Sequence, residues 1–313
     1  MTLQNVNDRR FGQMNRWTTN MPWGYFEIDA QYKGDNFRSE QTATATDKID
    51  LDKTYCLVGV EPNTMYKPGT EPKGFRWYWW DNSMMPHLRH RSASNPNGDK
   101  RWSRLTYCGW SIPSSWQGRQ SDRDRVNEVL KNNSGGVIRE ISELWRGTRS
   151  SSSLSNRKCL VIRSSDRNYS EFYNTTWDQY WNKIKPVLDR HGFTYEVRKK
   201  LPPSQRHGNQ IADQIEQGGF DCVLANHSAG ASEAVVMGTP VITTSEWNPA
   251  RRVSTPWEHF VEHGDVIPQT QTKIEEWVTA VCGYTYYRTE LDTLSWIDVH
   301  PQAEKLKEQK NAI

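Results

Sequence analysis

In the second half of the chain, short apolar runs alternate with longer segments of helical periodicity. Apolar runs bounded by turn residues are typical of buried strands, here Cys159–Ile162, Phe193–Val197, Cys222–Ala225, Pro240–Thr244 and the shorter Asp265–Ile267. Helices are predicted at Thr176–Arg190 and Asn209–Gln217, in a segment carrying Glu233, around Thr255–Glu262 and at Thr272–Val281. This alternation indicates parallel βαβ units in a doubly wound sheet, which binds ligands beyond the carboxyl ends of its strands.

The first half of the chain is patterned less regularly. Strands are predicted at Tyr55–Val60, Phe75–Trp80 and Leu105–Trp110, and helices at Asp122–Lys131 and Val137–Trp145. The tract Thr148–Arg157 contains four consecutive serines, which cannot pack a core and are typical of a linker. We therefore expect two α/β domains, residues 1–150 and 151–313.

Composition narrows the class of protein only slightly. The 313 residues include 40 basic and 37 acidic ones, a net charge of +3 that says little about a polyanionic partner. Fifteen Trp and 13 Tyr supply apolar surface for a core. The five cysteines are widely spaced without a CxxC pair, as expected of core residues in a reducing compartment. No secretory signal or membrane span is visible, so we expect a cytoplasmic protein, and a monomer.

The stretch Asp221–Thr244 is the most informative part of the sequence. It is predicted to form strand, small-residue turn, helix and strand, which places helix-start N–H groups at the carboxyl end of a strand. Ala229 and Gly230 would let a ligand approach the backbone, and Glu233 would reach a ribose hydroxyl. Without a ligand, Ser228 is a helix N-cap and Glu233 pairs with an arginine.

A second candidate turn follows the strand that ends at Ile162. Arg163 and Arg167 are interleaved there with Ser164, and guanidinium groups match the oxygens of a diphosphate in paired hydrogen bonds. The alternative interpretation is a pair of solvated arginines in a surface loop. Arg198 is a weaker candidate for the same role.

The aromatic strand FRWYWW leads directly into Asp81. A carboxylate at the tip of such a strand is suited to act as a general base, although Asp-Asn-Ser is also ordinary turn chemistry. Residues 75–119 are rich in Trp and Arg, which can stack bases and neutralise phosphates or simply build a core. The candidate DNA-contacting residues are Arg89, His90, Arg91, Arg101 and Arg104.

Other chemistries have little support in the sequence. The eight histidines form neither HxH nor HExxH, so no metal site is expected. A GxSxG elbow, a Walker GxxxxGK[ST] and a GxGxxG after a strand are all missing, which argues against a hydrolase elbow, a P-loop and a dinucleotide oxidoreductase.

These residues resemble a known family. The run HSAGASEAVVMGTPVIT looks like the donor-binding unit of GT-B glycosyltransferases, which consist of two Rossmann-like domains facing across a cleft. WYWWDN and the helix IEEWVTAV are similar to segments of phage proteins, and the layout resembles phage DNA β-glucosyltransferases over residues 53–285. The resemblance implies that Asp81 is the general base, that Arg163 and Arg167 grip the diphosphate, and that Glu233 holds the ribose. The chain departs from the family in lacking a recognisable Gly-rich turn near the N-terminus.

The leading hypothesis is therefore transfer of a sugar from a nucleotide-sugar to a 5-hydroxymethyl pyrimidine, such as 5-hydroxymethylcytosine, in bacteriophage DNA. The donor is expected to be a UDP-sugar such as UDP-glucose, with no cofactor or metal required. The first alternative is a glycosyltransferase that acts on a surface or capsular glycan. The second is a non-enzymatic nucleic-acid-binding protein on a transferase-like fold.

Overall fold

The computed structural model describes residues 25–26, 54–58, 73, 76–82, 102–107, 112–113, 115–132, 140–144, 156–198, 211–287, 290 and 299–302. The strands in these ranges are β1 (Tyr25–Phe26), β2 (Thr54–Val58), β3 (Arg76–Asn82), β4 (Trp102–Tyr107), β5 (Lys158–Ile162), β6 (Thr194–Arg198), β7 (Cys222–Ala225), β8 (Val241–Thr243), β9 (Thr255–Pro256) and β10 (Thr285–Tyr287). The helices are α1 (Gln120–Asn132), α2 (Asp166–Tyr173), α3 (Trp177–Arg190), α4 (Ile211–Gly218), α5 (Gly230–Val236), α6 (Trp257–His263) and α7 (Gln271–Cys282). Short 3₁₀ helices occur at Ile141–Leu144 and Arg251–Val253.

The chain divides into two compact units. The first comprises residues 1–83, 97–110 and 284–313, and the second comprises residues 84–96 and 111–283. This division does not follow a single point in the chain, because β10 pairs with β4 and α1 packs against α7. A domain boundary at residue 150 therefore stays a prediction, as do the functions assigned to its two sides.

The first unit contains a mixed five-stranded sheet in the order β1-β2-β3-β4-β10. The β1, β2 and β3 strands run parallel, whereas β4 is antiparallel to both β3 and β10. The Leu105 N–H donates to the Tyr284 carbonyl at 3.0 Å. Nε2 of the buried His300 ring lies 3.2 Å from the Leu105 carbonyl oxygen.

The second unit contains a fully parallel five-stranded sheet in the order β6-β5-β7-β8-β9. Cys159, Cys222 and Ile242 on its central strands are completely buried, since α3 packs Ile184 and Leu188 against them. The α/β class and the parallel sheet predicted from the sequence are thus confirmed. The GT-B arrangement of two domains across a cleft stays a prediction.

Local signals explain where α3 begins. The Thr176 hydroxyl accepts a hydrogen bond from the Gln179 N–H at 3.2 Å, and the Gln179 side chain accepts one from the Thr176 N–H at 3.0 Å. This capping box satisfies two backbone donors that helix formation leaves unpaired. The predicted helix Thr176–Arg190 is confirmed at both ends.

The strand predicted at Leu105–Trp110 begins three residues earlier, at Trp102, and three further predicted elements differ from the structure. Asp265–Ile267 is not a strand, because the Ile267 N–H donates to the Thr255 hydroxyl at 2.7 Å and the position beside β8 is taken by β9. The aromatic strand runs two residues beyond the predicted end at Trp80, since β3 continues its ladder with β4 through Asn82. The predicted helix Val137–Trp145 is only a short 3₁₀ turn over its described part, Ile141–Leu144.

Candidate ligand site of the second unit

The strand order of the second unit reverses direction between β5 and β7, and we call the edge of the sheet beyond their carboxyl ends the crevice. From β5 the chain moves to one side to form β6, then crosses back to form β7 on the other side. Such a reversal of direction is the point at which open α/β sheets bind ligands, beyond the carboxyl ends of the two strands. Ile162 and Ala225 are the last paired residues of β5 and β7. The turns that follow them therefore leave the sheet side by side.

Arg163 begins the turn after β5, and its side chain is held from two sides. Its Nη2 donates to Asp166 Oδ1 at 2.5 Å, and its guanidinium carbon lies 5.1 Å from the centre of the Trp177 ring. The arginine side chain is 22% exposed, whereas that of Asp166 is 75% exposed. Because Trp177 restricts the guanidinium, little further ordering is needed for Arg163 to bind an anion. The alternative interpretation, a solvated arginine in a surface loop, does not describe Arg163.

The first turn of α2 completes this side of the crevice. The Ser165 hydroxyl accepts a hydrogen bond from the Asn168 N–H at 3.3 Å and so caps the helix. Asn168 is 4% exposed, and its buried Oδ1 has no hydrogen-bond partner among the residues that the structure describes. A buried amide oxygen without a donor costs stability, and the amide can offer either its oxygen or its nitrogen to a ligand. Arg167 lies in the same turn of α2. Ser164, which directly precedes the cap residue Ser165, is buried.

A tyrosine fixes the backbone of this turn from inside. The Ser164 N–H donates to the Tyr169 hydroxyl at 3.3 Å, and the Arg163 N–H donates to the Arg198 carbonyl at 3.0 Å. Burial raises the pKa of Tyr169 to about 12. The phenol therefore stays protonated at neutral pH, and the turn is held by neutral hydrogen bonds.

The turn after β7 leads into α5, a helix of seven residues that is entirely buried. The Ser228 hydroxyl accepts a hydrogen bond from the Gly230 N–H at 3.2 Å, so Ser228 holds the helix start, while Ala229 is the residue at the cap itself. A Cβ on Gly230 would lie 2.2 Å from Ile211 Cδ1 and 2.9 Å from Ile162 Cδ1. Packing against these side chains thus accounts for the glycine, and close approach of a ligand is not needed to explain it.

Glu233 lies in the middle of α5 and is 6% exposed. Its neighbours in the helix, from Gly230 to Val236, are also buried. A buried carboxylate is stable only when polar groups compensate for its lost hydration. Its assignment to a ribose hydroxyl stays a prediction.

Two hydroxyl residues after β8 extend the crevice edge, and sequence reasoning did not single them out. Thr244 Oγ1 lies 2.9 Å from the Tyr180 hydroxyl and donates to Asn226 Oδ1 at 3.3 Å. The Tyr173 hydroxyl donates to Ser245 Oγ at 2.6 Å. Burial raises the pKa of both tyrosines, so these hydroxyls remain neutral donors. The only signal in the sequence was a Thr-Thr-Ser run directly after an apolar strand.

The loop that follows, from Ser245 to Ala250, is tied down along its length. Asn248 is 1% exposed, and its side chain donates to the Asn226 carbonyl at 2.5 Å and accepts from the Ala250 N–H at 2.8 Å. The Trp277 indole donates to the Pro249 carbonyl at 2.9 Å. These hydrogen bonds hold the loop in one conformation against the rest of the unit. Its Asn- and Pro-rich sequence did not predict this.

The predicted residues of the first unit are described only in part. Asp81 lies within β3, opposite Arg104 in the register of β4, and not beyond the end of the strand. Arg104 is 3% exposed, which disfavours its assignment to DNA contact. Four of the candidate DNA-contacting residues lie outside the described residues: Arg89, His90, Arg91 and Arg101.

Within the ranges that the structure describes, no cluster of three or more His, Cys, Asp or Glu side chains is arranged to hold a metal ion. Among the helices described, none combines the length and apolar character that crossing a membrane requires. The parallel order β6-β5-β7-β8-β9 makes the second unit a Rossmann-like α/β unit, with polar turns after β5 and β7 at the point where the strand order reverses.

No protein-family model matches the sequence, and no curated protein does. Among solved structures, the chain is similar to the KpsC beta Kdo 2,7 transferase of Thermosulfurimonas dismutans. The two share 10% sequence identity with a TM-score of 0.43, over 92% of this chain and 96% of the other.

Proposed function

We propose that the chain is a nucleotide-sugar-dependent glycosyltransferase whose donor binds at the carboxyl edge of the parallel sheet. The observation that carries the proposal is the strand order around β5, which brings the Arg163 turn and the Asn226–Ser228 turn to one switch point. Ligands of open α/β sheets bind at such a position. Both turns offer hydroxyl, amide or guanidinium groups, which suit a phosphorylated and hydroxyl-rich ligand.

In this proposal, the diphosphate binds against Arg163 and the first turn of α2. An anion is favoured there by the guanidinium and by the backbone N–H groups at the start of an eight-residue helix. Asp166 would have to release Arg163, but an ion pair with a carboxylate that is 75% exposed is worth at most about 1 kcal/mol. Ser164, Arg167 and Asn168 would supply further hydrogen bonds from the same turn.

The transfer step needs a base and a stabilised leaving group. The acceptor hydroxyl oxygen attacks the anomeric carbon, the bond from that carbon to the diphosphate oxygen breaks, and the diphosphate departs with the electron pair. The proton of the acceptor hydroxyl passes to Asp81, and Arg163 stabilises the charge on the departing diphosphate. Glu233 holds the ribose. An Asp81→Asn variant that retains full transfer activity would remove Asp81 from this scheme.

The donor site is tested with two arginines that flank the same strand, β5. Arg163 follows the carboxyl end of β5 and lies over Trp177, whereas Arg157 precedes its amino end and lies over Phe193 at 5.8 Å. Arg163→Ala should weaken nucleotide-sugar binding at least about tenfold, since a hydrogen bond to a charged group contributes roughly 1.5–3 kcal/mol. Arg157→Ala is the matched control and should bind as the wild type does. Calorimetry with a panel of nucleotide-sugars measures both, and equal binding by all three proteins would contradict the assignment.

We propose hydroxymethylated pyrimidines in DNA as the acceptor, because residues 75–119 combine Trp and Arg in the manner of a DNA-gripping segment. Incubation with hydroxymethylcytosine DNA and the donor, followed by mass analysis of nucleosides, would show a sugar adduct. Binding to the duplex should also fall steeply as salt rises from about 50 to 200 mM. Transfer to a glycan without any DNA binding would favour the glycan acceptor instead. DNA binding without any nucleotide-sugar binding would favour a non-enzymatic role.

A further inference from the structure

The loop after β8 presents one aromatic side chain from a rigid frame. Ser245 and Asn248 are buried on either side of Trp247, and the Trp247 N–H donates to the Ser245 hydroxyl at 3.1 Å. Trp247 itself is only half-buried. Tryptophan side chains with one part in water are enriched at binding interfaces.

Tyr173 supports the Trp247 ring from α2. The two ring centres are 5.9 Å apart, with a tilt of 32° between the planes. The Tyr173 hydroxyl is bound to Ser245, so the same hydrogen bond fixes the tyrosine and the loop that carries the tryptophan. The orientation of the indole is therefore set before any ligand arrives, which lowers the entropic cost of stacking.

The pair lies at the opposite end of α2 from the turn that is proposed to bind the diphosphate. Asp166 and Asn168 stand in the first turn of α2, and Tyr173 is its last residue. The eight residues of the helix span about 12 Å at 1.5 Å per residue. In a nucleotide, the ribose separates the base from the phosphates, so the two ligand parts must also bind at separate places. The helix links a place for each.

We infer that Trp247, supported by Tyr173, is the surface on which the base of the donor nucleotide stacks. The inference rests on the proposed function, because it concerns the same ligand. Stacking on an aromatic ring tolerates every base, since each has a π-face, and contributes about 1–3 kcal/mol per base. Hydrogen bonds to the base edge would come from elsewhere in the crevice.

The test separates the base from the phosphates. Calorimetry measures the dissociation constants of UDP, CDP, ADP, GDP and inorganic pyrophosphate with the wild type and with Trp247→Leu. The variant should bind its best nucleoside diphosphate about tenfold more weakly, by the stacking contribution above, and should bind pyrophosphate as the wild type does. Trp247→Phe keeps an aromatic face and should recover most of the affinity. An equal loss for pyrophosphate, or no loss for any nucleotide, would overturn the inference.

Two controls keep the outcome interpretable. Trp257→Leu removes another half-buried tryptophan, on α6, and should leave nucleotide affinity unchanged. If Trp247→Leu fails to fold, Trp247→Gln suits a partly exposed position and gives the same comparison. A wild type that binds none of the probes would refute the proposed function itself. If the wild type and Trp247→Leu bind nucleotides equally well, only the stacking surface is refuted.

Discussion

Replacing Asp166 by Asn should strengthen ligand binding while it weakens the fold. Asp166 is the one described carboxylate paired with Arg163, and it stands in the first turn of α2. A diphosphate bound at this turn would compete with Asp166 for the guanidinium and would be repelled by its charge. The same charge favours the helix, because its N-terminus carries a partial positive charge.

The two effects can be estimated separately. Asp166 is 75% exposed, so its interactions are screened: the pair with Arg163 contributes about 0.2–1 kcal/mol, and repulsion of a charge about 4 Å away in water contributes about 1 kcal/mol. Together they correspond to a diphosphate affinity about seven- to thirtyfold higher in Asp166→Asn, since 1.4 kcal/mol is a factor of ten. The lost interaction with the helix N-terminus should lower the free energy of unfolding by about 0.3–1 kcal/mol.

Calorimetry with pyrophosphate and the best nucleotide-sugar at low salt measures the first effect, and urea unfolding measures the second. Asp189→Asn is the matched control. Asp189 forms a comparable surface pair with Lys185 at 2.6 Å, in the last turn of α3, so the variant changes the net charge equally. It should leave anion affinity unchanged.

The comparison is decisive because a general change in charge and a local one give different results. Equal tightening in Asp166→Asn and Asp189→Asn would mean that only the net charge matters. Unchanged or weaker binding in Asp166→Asn alone would mean that no phosphate meets Arg163. Either outcome would refute the assignment of the diphosphate to this turn.

Three further predictions concern the frame of the second unit. Gly118→Ala should lower the free energy of unfolding by about 3 kcal/mol in urea titrations, because Gly118 has φ +84° and a Cβ would lie 2.5 Å from the Ala280 nitrogen; stability equal to wild type would contradict this. Burial raises the pKa of Tyr169 to about 12, so its contribution to stability is complete below pH 10 and is lost as the pH rises from 10 to 12; in Tyr169→Phe, the fall in stability over that range should be smaller. Cys282 is buried with its pKa raised to about 12, so mass spectrometry should find it unmodified by iodoacetamide at pH 8 until the protein unfolds.

Much of the second unit could be predicted from local pattern. The apolar runs before Arg163, Asn226 and Thr244 were identified as strands within one or two residues, because each is buried on both faces and ends at polar turn residues. The periodic spacing of apolar residues located α3 and α7 in the same way. These patterns are local, so they predict the elements without knowledge of the tertiary fold.

The missed elements lacked such a signal. The α2 helix, DRNYSEFY, is largely polar and depends on Ser165 as its cap, and β9 is two residues long. Pairing of β10 with β4 joins residues far apart in the chain, as in Thr285 with Arg104. No periodicity within a window of the sequence encodes such a pairing.

The same contrast holds for the site. Arg163 and Glu233 are candidate site residues because charged residues stand out beside apolar strands. The hydrogen bond of Tyr173 to Ser245 and that of Tyr180 to Thr244 join residues 72 and 64 positions apart. Both tyrosines had the apolar character of core residues in the sequence, and only the fold shows that their hydroxyls hold the edge of the crevice.

The α2 helix explains why a short polar segment belongs beside a hydrophobic sheet. Its first turn holds Arg163 through Asp166, and its last residue holds Ser245 through the Tyr173 hydroxyl. A flexible loop of eight residues could satisfy neither end at a fixed separation, whereas a capped helix fixes both with one backbone conformation. The rigidity of α2 therefore fixes the separation between Arg163 and Ser245.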